Sequence, residues 1–193
     1  VVPAGADMAS LDDLPLRDDL RGQEPYGAPQ LDVRARLNVN ENPYAPSEGL
    51  VADVAVAVAE AARGLNRYPD RDAVALRADL AAYLGRESGV ALSGDQLWAA
   101  NGSNEIMHQL LLAFGGPGRT ALGFTPTYSM YPEYCRDTFT RYVTAPRDDE
   151  FRVDAATAVE AIGQHQPDVV LLASPNNPTG TPLELDVVRA VLA

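Results

Sequence analysis

Lysine is absent, and all fifteen basic residues are arginine. No side chain can therefore form an imine with a carbonyl compound, which leaves the N-terminus at Val1 as the only amine. A compositional bias toward arginine and alanine would give the same absence without functional meaning. Cysteine is nearly absent too: Cys135 stands alone. That excludes an internal disulfide and a thiolate metal cluster, and a reducing cytoplasm is expected. No stretch reaches the roughly 18–20 apolar residues of a membrane span. Val1 to Ser10 has no basic segment followed by an apolar one, so no export is expected, and Met8 is a candidate initiator with Val1 to Asp7 as carry-over. His108 lies beside apolar helix positions with no serine, cysteine or metal-ligand pattern near it, so a structural role is expected for it.

The 193 residues, 46% of them apolar, suffice for one domain with a sizeable core. A formal charge of -12, with the arginines scattered rather than striped, argues against a nucleic-acid surface and favours solubility. Leu11 to Leu37 is rich in Pro, Gly, Asp and Arg, as in an arm that lies on another surface. Helices are expected over Glu48 to Ala62, ended by Gly64, and over Asp72 to Leu84, ended by Gly85. From there strands and helices alternate. The strands are Gln96 to Ala100, Thr120 to Phe124, Arg141 to Ala145 and Asp168 to Ala173. The helices are Asn104 to Phe114, Met130 to Asp137, Asp154 to Gly163 and one from about Leu183. Such alternation predicts an α/β fold, a mainly parallel sheet with helices on both faces. Ligands of such sheets sit beyond the carboxyl ends of the strands, so the loops at Asn101, Thr125 and Ser174 should converge.

Each of those loops carries chemistry. Asn101-Gly102-Ser103-Asn104-Glu105 opens a helix, where glycine admits a close backbone approach and the first-turn amides, at the positive end of the helix dipole, favour a phosphate. Plain N-capping by Ser103 or Asn104 is the alternative reading. In Phe124-Thr125-Pro126-Thr127-Tyr128-Ser129-Met130-Tyr131, a tyrosine behind a proline turn can lay its ring on a flat aromatic ligand. Tyr128 fits that role and Tyr131 fits core packing. Ser174-Pro175-Asn176-Asn177-Pro178-Thr179-Gly180 ends the buried run Asp168 to Ala173, and Pro178 fixes the backbone so that the Asn177 amide is aimed in advance, with a cis bond before Pro178 one option.

These three loops, in this order, resemble the N-terminal half of the fold-type I aminotransferases that use pyridoxal phosphate (PLP). The resemblance covers the chain from about Asp12 onward. Within that group, the segments Pro15 to Leu20, Glu24 to Pro29, Leu37 to Tyr44 and Asn66-Arg67-Tyr68-Pro69-Asp70 are similar to the arm and substrate loops of the histidinol-phosphate aminotransferase family. The resemblance implies that Gly102, Ser103 and Asn104 hold the PLP phosphate, that Tyr128 stacks on the ring and that Asn177 bonds its O3′. It implies that Tyr68 reaches the cofactor phosphate of the neighbouring subunit of a homodimer with a shared active site. Tyr26, Asn40 and Glu41 would lie along the substrate channel, Tyr26 in direct contact. Packing of the arm on the body is the other role open to Tyr26 and Tyr68. The implied reaction passes the amino group of L-histidinol phosphate to 2-oxoglutarate, in histidine biosynthesis.

The chain departs from that pattern after Gly180. The family's Asp-Glu-Ala-Tyr strand, Schiff-base lysine, phosphate-binding arginine and small C-terminal domain have no counterpart in it. The expected organisation is therefore an N-terminal arm and substrate loop at 1–45 and an incomplete PLP-binding large domain at 46–193. No catalytic residue and no metal ligand is expected, and neither is turnover by this chain alone. Two other readings stay open: an aromatic-amino-acid aminotransferase sharing the strand loops, and a non-catalytic interaction module built on the same fold.

Overall fold

The computed structural model describes residues 10, 13–24, 27, 29–36 and 38–193. They fall in two units, Val1–Asp72 and Ala73–Ala193.

Among the described residues before 48, the first unit carries the short 3-10 turn Asp18–Leu20 and no α-helix or strand. Arg17 pairs with Asp19 beside that turn at 2.5 Å. The helix expected at Glu48 begins and ends where its sequence says: α1 is Glu48–Ala62, opened by the Ser47 hydroxyl, which accepts from the Leu50 amide at 3.3 Å. It is built of alanine, valine and leucine on several faces, and none of its residues is buried.

The second unit opens with α2, Val74–Ser88, which starts two residues later and ends four residues later than expected. Gly85 is not its end. The helix closes at Gly89, whose φ of +70° is the left-handed conformation that ends helices at little steric cost. The segment expected as a strand at Gln96 to Ala100 forms no strand: Gly94–Gln96 is a 3-10 turn and residues 97–100 run without a ladder partner. Apolar alternation makes a strand only where a neighbouring strand supplies hydrogen bonds.

The remaining elements follow the expected alternation: α3 Gly102–Phe114, β1 Thr120–Thr125, α4 Tyr131–Asp137, β2 Arg141–Pro146, α5 Ala155–His165, β3 Val169–Val170 and α6 Leu185–Leu192. The three strands form one parallel sheet in the order β2-β1-β3, with Thr120 opposite Arg141 and Ala121 opposite Val169. β3 is shorter than expected. After Val170 only the Leu171 amide bonds back to the Leu122 carbonyl, at 2.8 Å, before the chain leaves the ladder. Helix α5 starts at Asp154, whose carboxylate accepts from the Thr157 amide and hydroxyl, bonds that hold its pKa below the usual carboxylate range.

The sheet is packed on both faces. Leu122, Phe124 and Ala145 join Val153, Ala158 and Ala161 near α5 and Val187 of α6. On the opposite side Ala121 joins Leu111 of α3 with Tyr134 and Cys135 of α4. Full burial of Leu122 and Phe124 contributes about 1.5–3 kcal/mol each. At the amino end of the strands Asp168 is pinned twice: its carboxylate accepts from the Thr120 amide at 2.8 Å and pairs with Arg119 at 3.3 Å. Among the described residues no helix is long and apolar enough to cross a membrane, and no cluster of His, Cys, Asp and Glu could hold a metal ion.

Candidate functional site

One turn opens α3 and two others follow β1 and β3 at their carboxyl ends, and hydrogen bonds link them. The first opens α3. Gly102 has φ +80°, and a Cβ built there meets no atom within 4 Å, so the backbone at the start of the helix faces open space. Ser103 and Asn104 follow it in the first turn and are exposed. Neither caps the helix: the N-cap position is Asn101, without a side-chain cap bond. Glu105 lies at this helix end too, its carboxylate accepting from the amide of the N-cap residue Asn101 at 2.6 Å and from Gln109 at 3.1 Å.

The second turn follows β1. Tyr128 is half-buried, with its ring edge-on to Tyr131 at 5.7 Å between centroids and 89° between planes. Both rings pack against the cluster of Leu111, Tyr134 and Cys135. Tyr131 thus takes the packing role that its position predicts. Burial pushes its phenol pKa up, while the Arg147 charge opposes that rise.

The third turn follows β3 and begins at Ser174. Asn176, not Asn177, is its anchor. The Asn176 side chain is 2% exposed; its Nδ2 donates to the Pro126 carbonyl at 3.1 Å and to the Thr179 hydroxyl at 2.8 Å. Its Oδ1 accepts from the Thr127 hydroxyl at 3.0 Å and from Arg147 at 2.9 Å. The Gly180 amide closes the turn on the Asn176 carbonyl at 2.7 Å. With Asn176 saturated, the half-buried amide of Asn177 is the one left available to a ligand. The peptide bonds before Pro126, Pro175 and Pro178 are cis.

Sequence reasoning missed the links between these turns. Tyr134, buried on α4, donates its hydroxyl proton to Asn104 Oδ1 at 2.5 Å and so joins the first turn to the helix that follows the second. Asn176 joins the third turn to the second through Pro126 and Thr127. Arg147, directly after β2, was legible only as a charge beyond a strand end. That position was the available signal, since β2 is parallel to β1 and must end beside it. His108, expected to be structural among core positions, is exposed on α3. Asn40, Glu41 and Tyr68 belong to the first unit and are exposed there. Tyr26 lies outside the described residues.

The arrangement fits PLP in the parts this chain contains: an open helix N-terminus for the phosphate, a half-buried aromatic ring for the pyridine face and an uncommitted amide for the phenolic oxygen.

Comparison with known proteins gives the family. The profile of the family described as Aminotransferase class I and II matches residues 35–193. A histidinol-phosphate aminotransferase of Mycolicibacterium smegmatis is 60% identical over 187 residues, 97% of this chain and 85% of that protein. Histidinol-phosphate aminotransferase 3 of Burkholderia lata is 62% identical over 183 residues, 95% of this chain and 50% of that protein. The chain spans about half the length of most of the curated relatives it matches. Among solved structures, an aspartate aminotransferase tetra mutant of Thermus thermophilus superposes with a TM-score of 0.72 at 22% identity, over 91% of this chain and 46% of that one. A histidinol-phosphate aminotransferase of Sinorhizobium meliloti, solved in complex with pyridoxal-5′-phosphate, gives 0.62 at 22% identity, over 79% and 40%. At those identities the structures speak for the fold.

Proposed function

The chain belongs to the class I and II aminotransferases, in their histidinol-phosphate aminotransferase branch, and from that premise we propose that it is the N-terminal part of a PLP enzyme that transfers the amino group of L-histidinol phosphate to 2-oxoglutarate. The observation that carries this reading is the 60% identity with the Mycolicibacterium smegmatis protein over nearly the whole chain.

When bound, PLP supplies a conjugated ring that takes up the electron pair released at the amine-bearing carbon of the substrate. The chain's own residues bind and orient it. First-turn amides at Ser103 and Asn104 donate to the phosphate, and the positive end of the α3 dipole adds about 0.3–1 kcal/mol. Gly102 leaves room for the phosphate to approach the backbone. Tyr128 lays its ring against the pyridine face, an offset stack worth about 0.5–1.5 kcal/mol beyond burial. Asn177 donates to the oxygen at ring position 3, which holds that oxygen in its charged form. Tyr26, Asn40 and Glu41 form part of the substrate channel. Tyr68 serves the phosphate of the neighbouring subunit, in a homodimer working in the cytoplasm. The amine that would take the proton from the amine-bearing carbon of the substrate is not in this chain, which has no lysine. The arm at 1–45 and the large-domain part at 46–193 then have separate roles, substrate enclosure and cofactor binding.

The test is an amino-transfer assay on the full-length protein, with glutamate formation from 2-oxoglutarate as readout. L-Histidinol phosphate should exceed phenylalanine and tyrosine in kcat/KM by about a hundredfold or more, because a site built for a phosphate leaves charged groups unpaired when an aromatic amino acid occupies it. Equal or better use of phenylalanine would assign the chain to an aromatic-amino-acid enzyme.

A further inference from the structure

Arg147 meets the segments that follow β1, β2 and β3. Its Nε donates to the Phe124 carbonyl at 3.0 Å and to the Pro126 carbonyl at 3.1 Å. One terminal nitrogen donates to the Phe151 carbonyl at 3.1 Å and the other to Asn176 Oδ1 at 2.9 Å. Its own amide donates to the Thr125 carbonyl at 3.0 Å. The side chain is half-buried, and among the described residues it forms no ion pair. A charge held away from water by neutral oxygens is costly unless those oxygens are fixed in place.

The partners also set the direction of the Asn176 amide. Arginine only donates, so the oxygen of that amide must face it, and the Pro126 carbonyl only accepts, so the nitrogen must face the other way. With the amide fixed, the backbone from Asn176 to Gly180 closes in one conformation and presents Asn177. The Phe124 and Pro126 carbonyls fix the start of the turn that presents Tyr128.

We propose that Arg147 is a positioning residue for the cofactor site: its guanidinium locks the Thr125–Tyr131 turn and the Ser174–Thr181 turn into one unit, so that the Tyr128 ring and the Asn177 amide keep a fixed spacing across the ligand. The purpose of the lock rests on the proposed PLP site, whereas the lock itself does not. A lysine cannot replace it, because one ammonium cannot reach four acceptors in the planar fan of a guanidinium.

Hydrogen exchange on the full-length protein without added cofactor tests the lock, comparing Arg147→Met, Arg147→Lys and the control Arg119→Met, which removes a pair at the opposite end of the strands. Peptides covering residues 125–131 and 174–181 should both exchange about tenfold faster or more in Arg147→Met, and nearly as fast in Arg147→Lys, with Arg119→Met leaving both unchanged. Loosening of one turn alone, of neither, or of every peptide equally would overturn the lock. Where Arg147→Met does not fold, the Arg147→Lys comparison decides.

A PLP titration then tests the positioning role. Arg147→Lys should raise the Kd for PLP about tenfold, and by much less in an Asn177→Ala background, because the lock acts through that amide. Equal losses in both backgrounds, or an unchanged Kd with loosened turns, would overturn the role. A wild-type protein that binds no PLP refutes the proposed function and leaves the exchange result to decide the lock.

Discussion

Asn176 and Asn177 are chemically identical neighbours placed in opposite circumstances. Asn176 is buried with both ends of its amide bonded, whereas Asn177 is half-buried and its side chain has no hydrogen bond among the described residues. Removing the first amide strands the Pro126 carbonyl and the Arg147 guanidinium. Asn176→Ala should therefore cost about 3 kcal/mol in urea denaturation of the full-length protein. Asn177→Ala should stay within about 0.5 kcal/mol of wild type in the same measurement and lose about tenfold in PLP affinity. Sequence reading singled out this turn and assigned Asn177 to a ligand, and the structure leaves that amide unbonded among the described residues. It was silent on Asn176 because two adjacent asparagines differ only in what the fold packs around them.

A buried thiol, Cys135, and a half-buried phenol, Tyr142, give the second unit a pH signature. Burial pushes the Cys135 thiol up to about 11 and the Tyr142 phenol up to about 12, the Cys135 charge adding to the second shift. In both the fold favours the neutral form. Their contribution is complete below the unfolded values, about 8.5 for Cys and about 10 for Tyr, and is lost as pH rises through 11 and then 12. Denaturation midpoints of the full-length protein should fall across that alkaline window. Cys135→Ala should remove the lower part of the slope and reduce the upper part less, since burial is the larger cause of the Tyr142 rise.

At the scale of elements, the alternation of β1, α4, β2 and α5 was legible because each has its own local signal: a short apolar run, Pro132 in the first turn of α4, and Asp154 as the cap of α5. The failures came where the signal is not local. Gln96 to Ala100 has a strand's composition without a strand's partner. The end of α2 was misplaced because Gly85 and Gly89 look alike in sequence. Only Gly89 takes a left-handed φ, while a Cβ at Gly85 would lie 3.1 Å from the Val90 carbonyl oxygen. Gly89→Ala should thus destabilise by about 1 kcal/mol through backbone strain, and thermal denaturation of the full-length protein should show it. An Ala at 89 as stable as wild type would move the helix end elsewhere.

At the scale of the whole molecule, the outward edges of β2 and β3 pair with no strand among the described residues. Large apolar side chains stand exposed in each unit, among them Val56 and Val58 in the first and Trp98, Leu112, Phe114 and Leu192 in the second. Each few hundred Å² of such surface forgoes several kcal/mol, against a typical stability of about 5–15 kcal/mol. The 193-residue polypeptide produced alone should therefore associate, bind a hydrophobic dye and melt without a sharp transition. A monodisperse protein with a cooperative melt would show that these surfaces need no cover.

The central claim is that the turns presenting Gly102, Tyr128 and Asn177 form one PLP site, and the position of the cofactor in a crystal of the full-length protein grown with PLP tests it most directly. The phosphate should accept hydrogen bonds from the first turn of α3 at Ser103 and Asn104, at about 2.7–3.2 Å, with the ring against Tyr128 and Asn177 Nδ2 on the ring oxygen. A phosphate bound away from α3, or a ring that touches neither Tyr128 nor Asn177, would contradict the account.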